Sequence, residues 1–246
     1  MTQPLSPAPN PHPLRDLLEL LATVGGGLLL ALALKTALYQ PFTIPTSSME
    51  PGLQVGDYIV VSKFAYGWSR ASLPLGRPEG RGRLAGRQPA RGDVVVFRLP
   101  RDPHQIWVKR VIGLPGDTVQ LRRGVVFLNG IPLEAPVRGT AGGARTRKEA
   151  LPGGRAYTSL DRGPGHPGDD TTAVRVPEGH YLVLGDNRDN SLDSRWPAET
   201  GIGLLPEQNL LGRGELILAS WRPGAALYKP WTWFNVRASR TMQPIR

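Results

Sequence analysis

The sequence predicts a mainly β protein: an antiparallel sheet or barrel-like core with an inserted β-rich or irregular subdomain, preceded by one amino-terminal transmembrane helix. Three observations indicate this fold. Short runs of β-branched residues are separated by turns that contain Gly or Pro, as in antiparallel sheets. The 30 Gly and 25 Pro residues cluster in particular stretches, which predicts long loops. One long apolar run lies near the amino terminus.

The composition of the chain excludes several kinds of catalytic and metal site. The chain of 246 residues has no cysteine, which excludes disulfides, thiol catalysis and cysteine-type zinc sites. Its formal net charge of +10 would suit an anionic membrane surface or nucleic acid. No basic helix or aromatic-interleaved basic motif accompanies the charge. We therefore expect attraction to membrane phospholipid and no specific binding of nucleic acid.

The amino terminus is predicted to be a disordered tail followed by a membrane anchor. Residues 1–13 are polar and Pro-rich, which is typical of a disordered tail. Residues 14–39 contain an uncharged run over 20–34, which reaches the roughly 20 residues needed to cross a bilayer if Glu19 and Lys35 snorkel. A cleaved signal peptide and a buried core helix are the alternatives.

A stiff segment with three hydroxyl side chains follows the apolar run. It reads QPFTIPTSSMEPGLQVGD and places Thr46, Ser47 and Ser48 between Pro45 and Met49. Because proline fixes φ and biases the preceding residue toward extended backbone, the hydroxyls are held on a non-helical stretch. This stretch would be a suitable mount for a nucleophile. Ser/Thr/Pro clusters are more often solvated loops, so the segment alone does not choose between the two interpretations.

Strand signals recur along the rest of the chain. The predicted strands are short apolar or alternating runs bounded by turn residues, at 53–62, 94–97, 106–112, 119–121, 125–128, 174–176, 180–184 and 212–221. Two of them, 119–121 and 125–128, are predicted to form a hairpin. Trp231, Trp233 and Phe234 follow the last strand and either close the core or rest on a membrane interface, and core closure is the preferred interpretation.

Two cations, Lys109 and Arg110, lie in the middle of the strand predicted over 106–112. Alternation puts them on opposite faces and does not show which face is buried. An arginine stays protonated, whereas burial can lower the pKa of a lysine enough for it to act as a base near neutral pH. Only Lys109 could therefore be a proton acceptor. The alternative is that Lys109 points outward while Arg110 is paired.

A polar loop, GDNRDNSLDSR, follows the strand predicted over 180–184. Its acidic residues suggest calcium, but it lacks the spacing and the terminal glutamate of an EF-hand, and its two arginines would compete with a cation. We therefore expect no metal. The better prediction is a loop in which Asp and Arg pair and Asn caps the backbone. Such a loop is rigid and could present Ser191 as an orienting hydrogen-bond partner.

Four segments, in this order, resemble the bacterial type I signal peptidases, which are membrane-anchored serine proteases with a Ser/Lys dyad. They are the amino-terminal anchor, PFTIPTSSMEPGLQVGD, the pair RGDVVVFRLP and IWVKRVIGLPGD, and GDNRDNSLDSR. The resemblance implies that Ser48 is the nucleophile and Lys109 its general base, which needs no histidine. It also implies that Thr46, together with the Ser48 backbone N–H, stabilises the oxyanion.

The same resemblance assigns supporting roles in the polar loop. It implies that Ser191 holds the lysine in place and that Asp193 and Arg195 form a structural pair beneath the site. It implies no cofactor and no metal. Gly52 departs from the pattern, because a threonine is common at this position in the family. We expect the departure to loosen the turn without removing a catalytic group.

The predicted domain organisation has four parts. Residues 1–13 form the tail and 14–39 the anchor, while 40–133 and 173–246 form the catalytic domain. Residues 134–172 are rich in Gly, Arg and Pro, match no part of the family pattern, and are predicted to be an inserted subdomain or a flexible excursion.

The resemblance implies a membrane-bound endopeptidase that removes signal peptides from exported preproteins after small residues of the Ala-x-Ala type. It implies a single-pass protein of the inner membrane, with the tail in the cytoplasm and the catalytic domain outside it. The positive-inside rule predicts the opposite orientation, because Arg15 alone precedes the anchor whereas Lys35, Lys63 and many arginines follow it.

Two alternatives remain at this point. One is a repressor-type, self-cleaving Ser/Lys protease, which would need a helix-turn-helix, and none precedes Gln40. The other is a non-catalytic, basic membrane-surface binding protein that retains the fold.

Overall fold

The computed structural model describes residues 13–69, 82–133, 135–225 and 229–245. Of the tail predicted over 1–13, only Pro13 lies within these residues, and it begins helix α1, Pro13–Ala37. Proline at the start of a helix is favourable because its missing N–H would have no partner there. Among the described residues, no helix combines the length and the apolar character needed to cross a membrane. The spanning anchor predicted over 14–39 is therefore not confirmed.

The described residues contain fifteen β-strands. In chain order they are β1 Tyr39–Thr43, β2 Asp57–Ser62, β3 Val94–Leu99, β4 Asp102–Gly113, β5 Thr118–Arg122, β6 Val125–Leu128, β7 Ile131–Pro132, β8 Val137–Ala141, β9 Ala144–Ala150, β10 Ala156–Asp161, β11 Val174–Arg175, β12 His180–Leu184, β13 Leu205–Pro206, β14 Leu210–Ser220 and β15 Gln243–Pro244. The mainly β prediction is confirmed, and so is the hairpin, which consists of β5 and β6.

The largest sheet in the described part of the chain carries the candidate site. Its strands lie in the order β1-β2-β14-β3-β4-β12-β13, and β15 pairs with β14. Each of these pairings is antiparallel. The two end strands, β1 and β13, do not pair with each other in this order, so the sheet is open rather than closed into a barrel.

Two smaller antiparallel sheets extend the core. One has the order β11-β5-β6-β7, and the other has the order β10-β9-β8. The second sheet lies within the predicted insertion, 134–172, of which residue 134 is outside the described residues. It contacts the polar loop through a parallel bridge between Leu160 and Asn187. The insertion therefore adjoins the loop that follows β12.

In the described part of the chain, the core contains three clusters of buried side chains. The cluster beneath the hydroxyl-bearing segment contains Met49 and Leu53, which are almost completely buried beside Ile59 and Val61 of β2. Burying a side chain of this size stabilises the fold by about 1.5–3 kcal/mol. Met49 and Leu53, at the two ends of a turn, therefore hold the segment that contains Ser48 against the sheet.

The carboxy-terminal aromatic residues do not close the core. Trp231, Trp233 and Phe234 are 73%, 49% and 91% exposed. The preferred interpretation, core closure, is therefore wrong. These residues belong to a surface segment that follows β14, and the pattern of apolar residues alone does not distinguish such a segment from a core strand.

Candidate active site

Ser48 lies in a compact turn between β1 and β2. The Glu50 N–H donates to the Ser47 carbonyl at 3.0 Å, and the Leu53 N–H donates to the Met49 carbonyl at 2.8 Å. Because the Met49 side chain is buried in the core, its neighbour Ser48 is half-buried at the surface of the turn. There its hydroxyl lines a cleft of about 1020 Å³. The segment is thus a rigid mount and not a solvated loop.

Lys109 reaches this cleft from β4. Strand β4 pairs with β3 on one side and β12 on the other, so Lys109 is held in the middle of the sheet. Its side chain is 3% exposed, and its Nζ donates a hydrogen bond to Ser48 Oγ at 2.8 Å. A second hydrogen bond from Nζ goes to the Val108 carbonyl at 3.0 Å. The alternative in which Lys109 points outward is therefore wrong.

The environment of Lys109 favours its neutral form. Burial lowers the pKa of this lysine from 10.5 to about 8, because a charged ammonium is poorly solvated in the protein interior. The carboxylates of Asp193 and Asp186 act in the opposite direction, and the guanidinium of Arg195 lowers the pKa further. A useful fraction of Lys109 is therefore unprotonated near neutral pH and able to accept the proton of Ser48.

Arg110 is buried as well, on the other face of β4. It makes a bidentate ion pair with Asp186, with Nε to Oδ1 at 2.8 Å and Nη2 to Oδ2 at 2.7 Å. Its guanidinium also stacks 4.5 Å from the centre of the Tyr157 ring. Both faces of this strand are therefore covered, which explains why alternation did not identify a single buried face.

Thr46 lies on the same side of the turn as Ser48. Its Oγ1 is 3.5 Å from Ser48 Oγ, and both side chains line the cleft. The exposed Thr46 hydroxyl therefore lies beside Ser48 Oγ, where it could donate to the carbonyl oxygen of a substrate attacked by Ser48, as could the Ser48 backbone N–H. Negative charge that develops on that oxygen would be stabilised by such donors.

Ser191 lines the same cleft, but it does not contact the lysine through a hydrogen bond. Its Oγ is buried and has no hydrogen-bond partner among the described residues. It packs so closely on Gly185 that a Cβ at this glycine would lie 2.2 Å from Ser191 Oγ and 2.6 Å from the Ser48 carbonyl oxygen. The absence of a side chain at 185 lets the loop approach Ser48. The lysine-holding role of Ser191 remains a prediction.

Asp193 and Arg195 form a buried ion pair at the base of the polar loop. The guanidinium holds both carboxylate oxygens at 2.9 Å, and the Gly185 N–H donates to Asp193 Oδ2 at 3.0 Å. Burial alone would raise the pKa of Asp193, but Arg195 and these backbone donors lower it below its usual value. The predicted pairing within the loop is thus confirmed for Asp193 and Arg195, whereas Asp186 pairs with Arg110 of β4, outside the loop.

Sequence reasoning assigned no chemistry to the predicted insertion, and it missed a buried cluster there. Arg188 Nη2 donates to Glu149 of β9 at 2.6 Å and to the Tyr157 hydroxyl of β10 at 2.8 Å. Ser159 also donates to Glu149, at 2.6 Å. Nothing in the sequence pairs Glu149 with an arginine 39 positions away. The insertion therefore supports the polar loop directly.

Asn187 was also missed as an individual residue, because the sequence reasoning treated it as part of a rigid loop. Its side-chain amide donates to the Ser47 carbonyl at 3.1 Å, and its backbone N–H donates to the Ser48 carbonyl at 3.1 Å. Asparagine in a polar loop indicates backbone capping. The sequence did not indicate that the capped backbone would be that of the candidate nucleophile.

Known proteins resemble this chain along most of its length. A family model described as signal peptidase, peptidase S26, matches residues 17–221. The signal peptidase I of Rickettsia typhi is 40% identical over 201 residues, which cover 76% of this chain and 75% of that protein. The signal peptidase I of Rickettsia canadensis is 39% identical and covers 76% and 74%.

A solved crystal structure is also similar in sequence. It is a signal peptidase I from Enterococcus faecalis V583, 28% identical, and the match covers 52% of this chain and 97% of that chain with a TM-score of 0.33. The family model and the curated relatives favour the signal peptidase prediction over the two alternatives. The chain therefore belongs to the signal peptidase family, peptidase S26, and is a serine endopeptidase.

Proposed function

We propose that this serine endopeptidase removes amino-terminal signal peptides from exported preproteins, with Ser48 as the nucleophile and Lys109 as the general base. The observation that carries the proposal is the 2.8 Å contact between the two side chains, one of them a buried lysine with a lowered pKa. A serine hydroxyl is a weak nucleophile until a neighbouring base accepts its proton. Relatives named signal peptidase I support the substrate class.

The reaction begins with neutral Lys109. Lys109 Nζ takes the proton from Ser48 Oγ as this oxygen attacks the scissile carbonyl, and a tetrahedral oxyanion forms. The Thr46 hydroxyl and the Ser48 N–H stabilise that charge. Protonated Lys109 then gives the proton to the leaving amine, and an ester to Ser48 remains. A water molecule, deprotonated by the same lysine, hydrolyses the ester and restores Ser48.

The cleft supports cleavage after small residues. Beside the dyad it is lined by apolar side chains that include Phe42, Ile44, Ile106 and Val108. Apolar walls of this kind could accept an alanine side chain and reject larger or charged groups, which would be selection by steric rejection. We therefore propose substrates of the Ala-x-Ala type.

We further propose that the enzyme works at the inner membrane, with its catalytic domain on the extracytoplasmic side. Helix α1 exposes a long series of leucine side chains, and the segment containing Trp231 and Phe234 exposes aromatic ones. Apolar and aromatic side chains of this kind partition into the interfacial region of a bilayer. The proposed membrane partner is phospholipid, and the orientation follows from the side on which preproteins emerge.

The test is cleavage of a purified preprotein by the wild-type chain and by two variants. Ser48→Ala and Lys109→Ala should each lower kcat by at least about 10⁴-fold, since removing either member of a nucleophile–base pair removes most of the chemistry. Lys148→Ala, at an exposed lysine of β9, is the matched control and should cleave normally. Normal processing by either dyad variant would exclude the proposed mechanism.

A further inference from the structure

Asn187 holds the backbone on both sides of Ser48. Its Nδ2 donates to the Ser47 carbonyl at 3.1 Å, and its own N–H donates to the Ser48 carbonyl at 3.1 Å. These two carbonyl groups belong to the peptide bonds that flank the Cα of Ser48. One residue of the polar loop is thus fastened to both peptide groups next to the nucleophile.

The contact to Ser47 fixes the direction of the Ser48 N–H. In a planar trans peptide, the carbonyl of one residue and the N–H of the next point in opposite directions. The peptide between Ser47 and Ser48 is trans, and its carbonyl also accepts a hydrogen bond from the Glu50 N–H at 3.0 Å. With the carbonyl held on one side, the N–H must point to the other. Among the described residues, this N–H has no hydrogen-bond acceptor.

We propose that the side-chain amide of Asn187 is a positioning residue for the oxyanion site, because it orients the Ser47–Ser48 peptide so that the Ser48 N–H meets the developing charge. This inference rests on the proposed function of Ser48. Asn187 is not among the side chains that line the cleft, so it acts through the peptide and not on the substrate.

Asn187 is itself held in place by the predicted insertion. The Leu160 N–H of β10 donates to the Asp186 carbonyl at 2.8 Å, and Leu160 and Asn187 form a parallel bridge. Arg188, the next residue, is buried against Glu149. Because Asn187 is itself fixed, it can keep the Ser47–Ser48 peptide in one orientation. The Ser48 N–H is then a preorganised donor, and preorganised donors lower a reaction barrier.

The first measurement is steady-state cleavage of a preprotein by Asn187→Ala. We expect kcat to fall by about 10- to 100-fold, less than the roughly 10²- to 10³-fold loss when an oxyanion donor is removed outright. The KM should stay within about threefold of the wild-type value, because ground-state binding is not touched. The pH midpoint of kcat/KM should not move, since Lys109 keeps its contacts. Asn187→Asp keeps the side-chain volume but presents an oxygen to the Ser47 carbonyl. Its kcat should fall at least as far as that of Asn187→Ala.

The second measurement is inhibitor affinity. A peptide aldehyde adds to Ser48 Oγ and forms a tetrahedral adduct whose oxygen occupies the oxyanion site, whereas an uncleavable peptide of the same sequence does not. Affinity for the aldehyde should fall in the same proportion as kcat, and affinity for the uncleavable peptide should not change. A residue that only stabilises the fold would not produce this difference.

The matched control is Asn209→Ala. Asn209 is buried, and its Nδ2 donates to the Arg98 carbonyl at 2.9 Å, so the substitution removes the same kind of contact between two residues that do not line the cleft. It should lower the melting temperature while kcat and aldehyde affinity stay within about threefold of wild type.

The outcomes separate the two proposals. If Asn187→Asp is folded and keeps kcat and aldehyde affinity within about threefold of wild type, the positioning role is wrong while the Ser48–Lys109 mechanism stands. A rise in KM alone, or a shifted pH midpoint, would also overturn it, since the contact would then support the cleft or the base. Failure of the wild-type chain to cleave a preprotein would instead remove the proposed function.

Discussion

At the scale of single residues, the position of Lys109 disfavours the charged form of its side chain. The sheet buries it beside Ser48, and burial lowers its pKa to about 8. An exposed lysine with a pKa of 10.5 would be almost fully protonated at neutral pH and unable to accept a proton. The desolvation that makes an ammonium unfavourable in this site is the property that makes Lys109 a usable base.

The pH dependence of activity follows from this pKa. In the proposed mechanism neutral Lys109 is the active form, so kcat/KM should fall about tenfold for each pH unit below the pKa of about 8 and should level off above it. Cleavage rates at limiting substrate, measured from roughly pH 6 to pH 9, check this. Lys109→Arg should be inactive throughout, because an arginine does not lose its proton. A flat profile for the wild-type chain would contradict the assignment of Lys109 as the base.

Gly52 is a second residue whose environment explains its identity. A Cβ at this position would lie 2.7 Å from Asp186 Oδ2 and 3.5 Å from an Arg110 nitrogen. A side chain at position 52 would therefore crowd the buried Arg110–Asp186 pair. The loosening of the turn that is expected from the departure remains a prediction.

Adding a side chain at Gly52 should destabilise the fold. We expect Gly52→Ala to lower the free energy of unfolding by about 1–3 kcal/mol, the usual cost of overpacking, because the added Cβ would collide with the buried Asp186 carboxylate. Urea unfolding measures it. Gly139→Ala in β8 is the matched control, because the nearest atom to its added Cβ is 3.5 Å away, and its effect should stay within about 0.5 kcal/mol. Equal stability of the two variants would show that Asp186 moves away freely.

At the scale of elements, strands β9 and β10 support the polar loop. Glu149, Tyr157 and Ser159 point from this hairpin toward Arg188, and all are buried together. A buried charge is tolerated only when its partners are complete, so the removal of one partner leaves the other uncompensated. The hairpin and the polar loop are therefore coupled through one ion pair.

Breaking this pair should be costly. Glu149→Ala is expected to lower the free energy of unfolding by about 3–5 kcal/mol, because Arg188 is left buried without its partner. Denaturant unfolding checks this. Glu215→Ala, which removes the more exposed pair with Arg213, should cost less than about 1 kcal/mol. Replacing both Glu149 and Arg188 by Met should recover part of the loss. Equal costs for the two single variants would mean that the buried pair does not link the two elements.

The elements that sequence reasoning predicted well are those with a local signal. The strand runs, the β5–β6 hairpin and one ion pair within the polar loop are visible because alternation, turn residues and complementary charges lie close together in sequence. Ser48 and Lys109 were named from a family pattern, since alternation alone left the face of Lys109 open. Glu149 and Asn187 were missed because their partners lie 39 and 140 positions away, and such contacts follow from topology and not from a local pattern.

At the scale of the whole molecule, the exposed apolar side chains of the described residues are concentrated on two surface segments. Helix α1 exposes leucines such as Leu28 and Leu29, and the segment after β14 exposes Trp231 and Phe234. The chain also carries a formal net charge of +10. Aromatic side chains with a basic surface favour contact with anionic phospholipid.

Membrane binding should depend on the aromatic segment. Replacing both Trp231 and Phe234 by Ala should weaken binding to anionic phospholipid vesicles by about 10-fold or more, because about 1.5–3 kcal/mol of apolar burial is lost for each large side chain that enters the bilayer. Vesicle co-sedimentation measures this. Ile131→Ala, at a 70% exposed side chain of β7, is the control and should bind normally. Unchanged binding of the double variant would assign membrane contact to another surface.

The contact between Asn187 and Ser47 joins positions 140 residues apart. A ribosome makes the turn that contains Ser48 early and the loop that contains Asn187 late, so a growing chain has its proposed nucleophile long before the residue that is proposed to align it. Contacts of such long range form slowly, since a large loop must close first. On the proposed role of Asn187, a chain that has not yet been made and folded as far as this loop lacks the alignment and would cleave more slowly than the finished protease.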